Sequence, residues 1–205
     1  GVTLIDTADI YGAGRSEEII AEALHPYPEG LVIASKGGLG HGLQERIRDG
    51  RPEYLRRACE ASLRRLKLDC IDLYQLHRHD PEVPIEESVG ALEQLRQEGK
   101  VRLIGLSNVS LDQLRRAQTV GRIVSVQNQF NRGLLTSEYV LDACEAEGIA
   151  FFPWNPLGEG LRGPAYEIPW LLDRSPVMLP IPGTSTVAHL EENMQAVADY
   201  SPAAS

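Results

Sequence analysis

Seven short apolar runs recur along the chain, with longer amphipathic stretches between most of them. The runs are rich in Val, Ile and Leu, as is typical of strands buried on both faces of a parallel sheet. The predicted strands are VTLID (2–6), LVIAS (31–35), IDLYQL (71–76), VRLIGL (101–106), IVSVQ (123–127), IAFF (149–152) and VMLPI (177–181). Strands that alternate with helices over short links predict right-handed βαβ units and an all-parallel sheet.

The intervening stretches have helical periodicity. Residues 51–66 place Leu55, Cys59 and Leu63 on one stripe, with Pro52 near a first-turn position. The other predicted helices cover 16–24, 84–99, 111–118, 136–147, 168–175 and 186–198.

The choice of α/β fold lies between an open doubly wound sheet and a closed barrel. No GxGxxG motif follows any predicted strand, which weakens the open dinucleotide-binding sheet. We therefore predict a (β/α)8 TIM barrel, as a single domain over residues 1–205. Such barrels have eight strands and typically about 250 residues. With seven predicted strands, we expect the first strand to be missing before Gly1, and part of the connection to the last strand to be missing between Leu161 and Ile168.

Composition excludes several classes of function. The chain has 20 basic and 29 acidic residues, a net charge of −9, and this argues against nucleic acid as a partner. No apolar run approaches the length of a membrane span, and the N-terminus shows no signal peptide. The three cysteines lack CxxC or metal spacing, so we expect reduced thiols in a cytoplasmic protein.

Polar, aromatic or glycine-rich groups follow all seven predicted strands, at the barrel end where catalytic groups gather. Lys36 is the most informative, because a lysine at the end of the run LVIAS (31–35) is expected to be partly buried and to need a partner. Asp6 and Tyr11 could supply a carboxylate and a hydroxyl.

Seven motifs at these strand ends occur together in one order. They are DTADIYG (6–12), SKGG (35–38), LYQLHRHDP (73–81), IGLSN (104–108), VQNQFN (126–131), PWNPLG (153–158) and IPGTSTVAHLEEN (181–193). Together they resemble the aldo-keto reductase superfamily from residue 2 to about residue 195. Within it, EALHPY (22–27) and SVQNQFN (125–131) look most like the bacterial pyridoxal reductase or pyridoxine 4-dehydrogenase branch.

The resemblance implies a catalytic tetrad of Asp6, Tyr11, Lys36 and His77. Carbonyl reduction needs a hydride and a proton for the developing alkoxide. An ammonium beside a phenol stabilises the phenolate, which suits Tyr11 as general acid and Lys36 as its neighbour. Asp6 would hold Lys36, and His77 would orient or polarise the carbonyl.

Each of these residues also has an ordinary structural interpretation. Asp6 could cap a turn, Tyr11 could pack, Lys36 could lie on the surface, and His77 alone would favour a hydrogen-bonded core histidine. His77 and His79 also suggest a metal pair, but beyond Asp80 no third ligand of the right type lies nearby, so we expect no metal.

The resemblance also implies the cofactor contacts. Ser107, Asn108 and Gln127 would hold the nicotinamide carboxamide, whose donor and acceptor match hydroxyls and amides. Trp154 would stack on the nicotinamide, although barrel-top packing is its alternative. The remaining contacts fall on the pyrophosphate loop, on a phosphate-binding helix N-terminus and on the adenine site: Asn155, Leu157, Gly183, Thr184, Ser185, His189, Glu192 and Asn193.

One departure affects the choice of cofactor. Several family members carry a lysine at the place of Gly183 and an arginine at the place of His189, where they hold the 2′-phosphate. We expect NADPH, with NADH as the alternative. The expected partner is a small-molecule aldehyde or ketone, and the oligomeric state stays open. The leading hypothesis is an NADPH-dependent carbonyl reductase, and its alternatives are an NADPH-binding regulatory subunit resembling potassium-channel β subunits and an inactive barrel fragment.

Overall fold

The computed structural model describes residues 2–41, 46–158 and 162–201. The chain divides into two compact units, an N-terminal unit, Val2–Val124, and a C-terminal unit that begins at Ser125. The prediction of a single domain over 1–205 stays a prediction.

The N-terminal unit contains four parallel strands, in the order β1 (Leu4–Asp6), β2 (Val32–Gly37), β5 (Ile71–Leu76) and β6 (Val101–Ser107). Two short strands, β3 (Leu39–His41) and β4 (Arg46–Arg48), follow β2 and pair with each other in the antiparallel sense. The helices are α1 (Arg15–Leu24), α2 (Pro52–Leu66), α3 (Ile85–Gln97) and α4 (Leu111–Gln118). Their apolar stripes, such as Leu55 and Cys59 of α2, are buried, as the periodicity predicts.

The C-terminal unit contains β8 (Ala150–Trp154) and all but the first two residues of β7 (Ile123–Gln129), and the two strands pair in parallel. Its helices are α5 (Glu138–Glu147), α6 (Pro164–Arg174) and α7 (Val187–Ala198). Phe130 lies in the core, edge-on to Phe151 and stacked on Trp170, with ring centroids 5.9 Å apart in each pair.

The predicted strand at 177–181 is wrong, because these residues form only an isolated parallel bridge between Met178 and Phe151. Phe151 donates to the Val177 carbonyl and Leu179 donates to the Phe151 carbonyl, both at 2.8 Å. Pro180 follows directly and has no backbone N–H to continue the ladder.

Among the described residues, no helix is both long and apolar enough to cross a membrane. All three cysteines are free thiols. Desolvation raises the pKa of the Cys59 thiol to about 12, so this side chain is an inert part of the core.

Gly37, at the end of β2, leaves space for a tyrosine on the adjacent strand. Tyr74 is fully buried, and no group in the described part of the chain hydrogen-bonds to its hydroxyl. A Cβ at position 37 would collide with that hydroxyl. Burial raises the pKa of Tyr74 well above its usual value, so the side chain stays neutral.

A buried acidic cluster lies between α1, α2 and β2. Glu17 accepts hydrogen bonds from Ser35 Oγ at 2.6 Å and from Arg65 Nε at 2.7 Å. Asp9 lies near this pair and lines a cavity of about 290 Å³. Desolvation, reinforced by the negative charge of Glu17, raises the pKa of Asp9 to about 7.

Replacing Gly37 by alanine should destabilise the protein by about 1–3 kcal/mol, because the added methyl group overpacks the site. Tyr74→Phe alone should be neutral or stabilising, because it removes a buried hydroxyl with no described partner. In the double variant, Tyr74→Phe should offset part of the cost of Gly37→Ala. Urea denaturation of the four proteins gives the coupling energy, and strictly additive effects would contradict this packing account.

The stability of the protein should fall as the pH rises from about 4 to about 7, through Asp9. Over this range the folded protein keeps a proton on Asp9 that the unfolded chain has released, because the carboxyl pKa rises from 3.8 to about 7 on folding. The contribution is present in acid and lost as the pH passes the folded pKa. The unfolding free energy of Asp9→Asn should therefore rise relative to wild type between about pH 5 and about pH 8. A constant difference would refute this assignment.

Candidate active site

The four predicted catalytic residues all lie in the N-terminal unit. Asp6 ends β1, Lys36 lies in β2 opposite Gln75, His77 directly follows β5, and Tyr11 begins a short turn after β1. Parallel strands present their carboxyl ends at one edge, and this arrangement brings together side chains that are far apart in the sequence.

Lys36 is fully buried, with an exposed fraction of 0%. Its ammonium donates to Asp6 Oδ2 at 2.6 Å and to the Thr7 carbonyl at 2.9 Å. A buried ammonium is costly without such partners, and removing one member of a buried pair typically costs about 3–5 kcal/mol. The pair therefore holds the Lys36 ammonium in one position, beside Asp6 at the carboxyl end of β1.

Tyr11 lies over this charge. The centre of its ring is 5.2 Å from Lys36 Nζ and 5.8 Å from the centre of the His77 ring, which meets it edge-on. Gly12 and Ala13 adopt left-handed conformations in the turn that follows. Tyr11 is 36% exposed, whereas Lys36 is 0% and His77 7% exposed, so the phenol is the group of these three most open to a substrate.

Sequence reasoning missed Gln75. This side chain is fully buried and donates to Asp6 Oδ1 at 3.4 Å, so both carboxylate oxygens of Asp6 are engaged. The available signal was its position two residues before His77, since alternate strand residues share a face.

Ser107 and Asn108 lie at the end of β6 in the same unit. Asn108 adopts a left-handed conformation with φ 57°. Its Nδ2 donates to Ser107 Oγ at 2.9 Å and to the His77 carbonyl at 3.3 Å. The amide thus holds the Ser107 hydroxyl and the backbone of His77 together.

In the C-terminal unit, Gln127 is buried in β7 and Trp154 ends β8, half-buried. The loop after β8 lines a cavity of about 540 Å³. Its walls include the predicted residues Asn155 and Leu157 and two cations that sequence reasoning did not single out, Arg132 and Arg162.

The segment before α7 is exposed. Thr186 caps the helix by accepting from the His189 backbone N–H at 3.3 Å. Thr184 Oγ1 accepts from the Thr186 backbone N–H at 3.2 Å. Gly183, Ser185, His189 and Glu192 are exposed, and Asn193 is buried.

The predicted contacts are of the chemical types that a nicotinamide dinucleotide requires. In the N-terminal unit, Ser107 and Asn108 provide a hydroxyl and an amide. In the C-terminal unit, Gln127 provides a second amide, and both kinds of group can pair with a carboxamide. The 540 Å³ cavity has two guanidinium groups, and Arg132 pairs with Glu167 at 3.2 Å. Within the described ranges, no group of three His, Cys, Asp or Glu side chains could hold a metal ion.

Comparisons with known proteins identify the family. The Aldo/keto reductase family profile matches residues 1–169. An uncharacterized oxidoreductase from Schizosaccharomyces pombe is 45% identical over 95% of this chain and 69% of its own length. Pyridoxine 4-dehydrogenase from Escherichia coli is 38% identical over 96% of this chain and 77% of its own length.

A solved aldo-keto reductase from Klebsiella pneumoniae in complex with NADPH is 27% identical, with a TM-score of 0.82 over 98% of this chain and 76% of that one. This likeness confirms the predicted (β/α)8 fold class. The chain belongs to the aldo/keto reductase family of oxidoreductases.

Proposed function

We propose that this protein is an NADPH-dependent reductase of aldehydes or ketones, with Asp6, Tyr11, Lys36 and His77 as its catalytic residues. The observation that carries the proposal is the ion pair of the fully buried Lys36 with Asp6, directly below the exposed Tyr11 ring. A purely structural tyrosine would not require a buried cation at this place.

The role of each residue follows from its chemistry. Tyr11 hydrogen-bonds the substrate carbonyl oxygen and gives it a proton as negative charge develops there. The Lys36 ammonium stabilises the phenolate that remains, and Asp6 holds Lys36 in place. His77, edge-on to Tyr11, orients the carbonyl oxygen toward the phenol.

NADPH, when bound, supplies the hydride. Ser107, Asn108 and Gln127 are proposed to bind its carboxamide, and Trp154 to stack on its nicotinamide. Asn155 and Leu157 are proposed to bind the pyrophosphate. Gly183, Thr184, Ser185 and His189 are proposed to bind the adenosine phosphate, and Glu192 and Asn193 the adenine. The cofactor named for the Klebsiella pneumoniae neighbour supports NADPH, and NADH stays the alternative.

The substrate is a small carbonyl compound. The Escherichia coli relative is named for pyridoxine oxidation, so pyridoxal is the first aldehyde to test. 4-Nitrobenzaldehyde serves as a general activated aldehyde that needs no specific recognition.

Tyr11→Phe should lower the rate of carbonyl reduction about 10²–10⁴-fold while leaving NADPH affinity within about threefold, since it removes only the proton donor. Loss of NADPH absorbance measures the rate with both aldehydes, and quenching of tryptophan fluorescence measures binding. Tyr139→Phe is the matched control, because Tyr139 is an exposed tyrosine in α5.

The outcomes separate the possible functions. Wild-type turnover that is lost in Tyr11→Phe supports the reductase. Tight NADPH binding without turnover of either aldehyde would favour the regulatory subunit, and failure to bind NADPH would favour an inactive fragment. Equal turnover by wild type and Tyr11→Phe would exclude the proton-donor role.

His189→Gln should weaken NADPH binding more than NADH binding, because His189 is the exposed residue proposed to face the 2′-phosphate, which NADH lacks. Quenching of tryptophan fluorescence by each cofactor gives the two dissociation constants. Unchanged affinity for NADPH, or an equal loss of affinity for both cofactors, would count against this role.

A further inference from the structure

Asn131, two residues after β7, has both ends of its side-chain amide engaged. It is only 6% exposed. Its Nδ2 donates to the Asn155 carbonyl at 3.0 Å, and its Oδ1 accepts from the Gly133 backbone N–H at 3.0 Å. The side chain therefore connects the segment after β7 to the loop after β8.

The loop after β8 is a tight turn that closes on the same carbonyl. The Asn155 carbonyl also accepts from the Gly158 N–H at 3.1 Å. Asn155 and Gly158 both adopt left-handed conformations, with φ of 53° and 57°. A non-glycine residue in this region is strained, and neighbouring contacts have to maintain it.

Packing matches the hydrogen bonds. A Cβ at Gly158 would lie 3.3 Å from Asn131 Cγ, so the glycine lets the turn lie close against the amide. The backbone of Asn131 is itself held by a reciprocal pair with Leu134, at 3.2 and 2.9 Å. The amide thus extends from a fixed point on the chain.

We propose that Asn131 is a positioning residue that holds the 155–158 turn in the conformation that binds the cofactor pyrophosphate. The inference rests on the proposed function, which assigns this turn to the cofactor. A turn already ordered before binding loses less conformational entropy when the ligand arrives. Asn131 acts through the Asn155 carbonyl and needs no contact with the cofactor.

Two variants distinguish the donor from the acceptor of the Asn131 side-chain amide. Asn131→Ala removes both hydrogen bonds. Asn131→Asp keeps an oxygen to accept from Gly133, but it sets a second acceptor against the Asn155 carbonyl and loses the donor. Leu135→Ala is the control, because this exposed leucine lies in the same segment and makes no side-chain hydrogen bond.

The test measures the binding of two probes to the full chain by tryptophan fluorescence, with thermal unfolding of the ligand-free proteins alongside. NADPH contains the pyrophosphate, whereas 2′-AMP lacks it. Both Asn131 variants should raise the dissociation constant for NADPH about fivefold, as expected when a hydrogen bond of about 1 kcal/mol is lost. Binding of 2′-AMP should stay within about twofold, and Leu135→Ala should match wild type with both probes.

Each result decides one point. If wild type fails to bind NADPH, the proposed function fails. If wild type binds NADPH and Asn131→Ala binds it equally well, the positioning role is wrong while the proposed function stands. Equal weakening of NADPH and 2′-AMP, with a lower unfolding temperature, would show general destabilisation instead. Wild-type affinity in Asn131→Asp would overturn the role assigned to the donor.

Discussion

The hydrogen-bonded ion pair between Lys36 and Asp6 constrains the rest of the candidate active site. A fully buried ammonium is tolerated only where a carboxylate and further acceptors surround it, and here they come from Asp6 and the Thr7 carbonyl. Because the two side chains belong to neighbouring parallel strands, the pair also requires the β1–β2 register. The Tyr11 ring then lies over a charge that cannot move away from it.

The sequence predicts this part of the molecule well because the decisive features are local. A lysine at the end of a predominantly apolar strand is expected to be buried and to need a counter-charge. Parallel strands align their carboxyl ends, so the sequence alone predicts that Asp6, Lys36 and His77 lie near one another. The observed helices and strands differ from the predicted ones mostly by a few residues at their ends, where fraying and capping determine the last ordered residue.

Other features depend on contacts that periodicity does not encode. Gln75 is a polar residue in a mostly apolar strand, and only the folded sheet, in which β2 lies between β5 and β1, shows that its side chain reaches Asp6. The run at 177–181 has strand composition, but Pro180 prevents a continuous ladder. The Glu17–Arg65 pair joins residues 48 positions apart, a distance across which sequence pattern carries no pairing information.

Two of the predicted cofactor-binding segments turn at an asparagine in the left-handed conformation. Asn108 follows β6 directly and Asn155 follows β8 directly, with φ of 57° and 53°. Asparagine tolerates the left-handed region better than most residues, so it can turn the chain sharply at a strand end and still present an amide. A glycine would turn as easily but would carry no side chain, and Asn108 uses its amide to join Ser107 and His77. The Asn155 carbonyl instead accepts a hydrogen bond from Asn131. The turn at Asn108 is therefore held by its own side chain, whereas the turn at Asn155 is held by the side chain of Asn131.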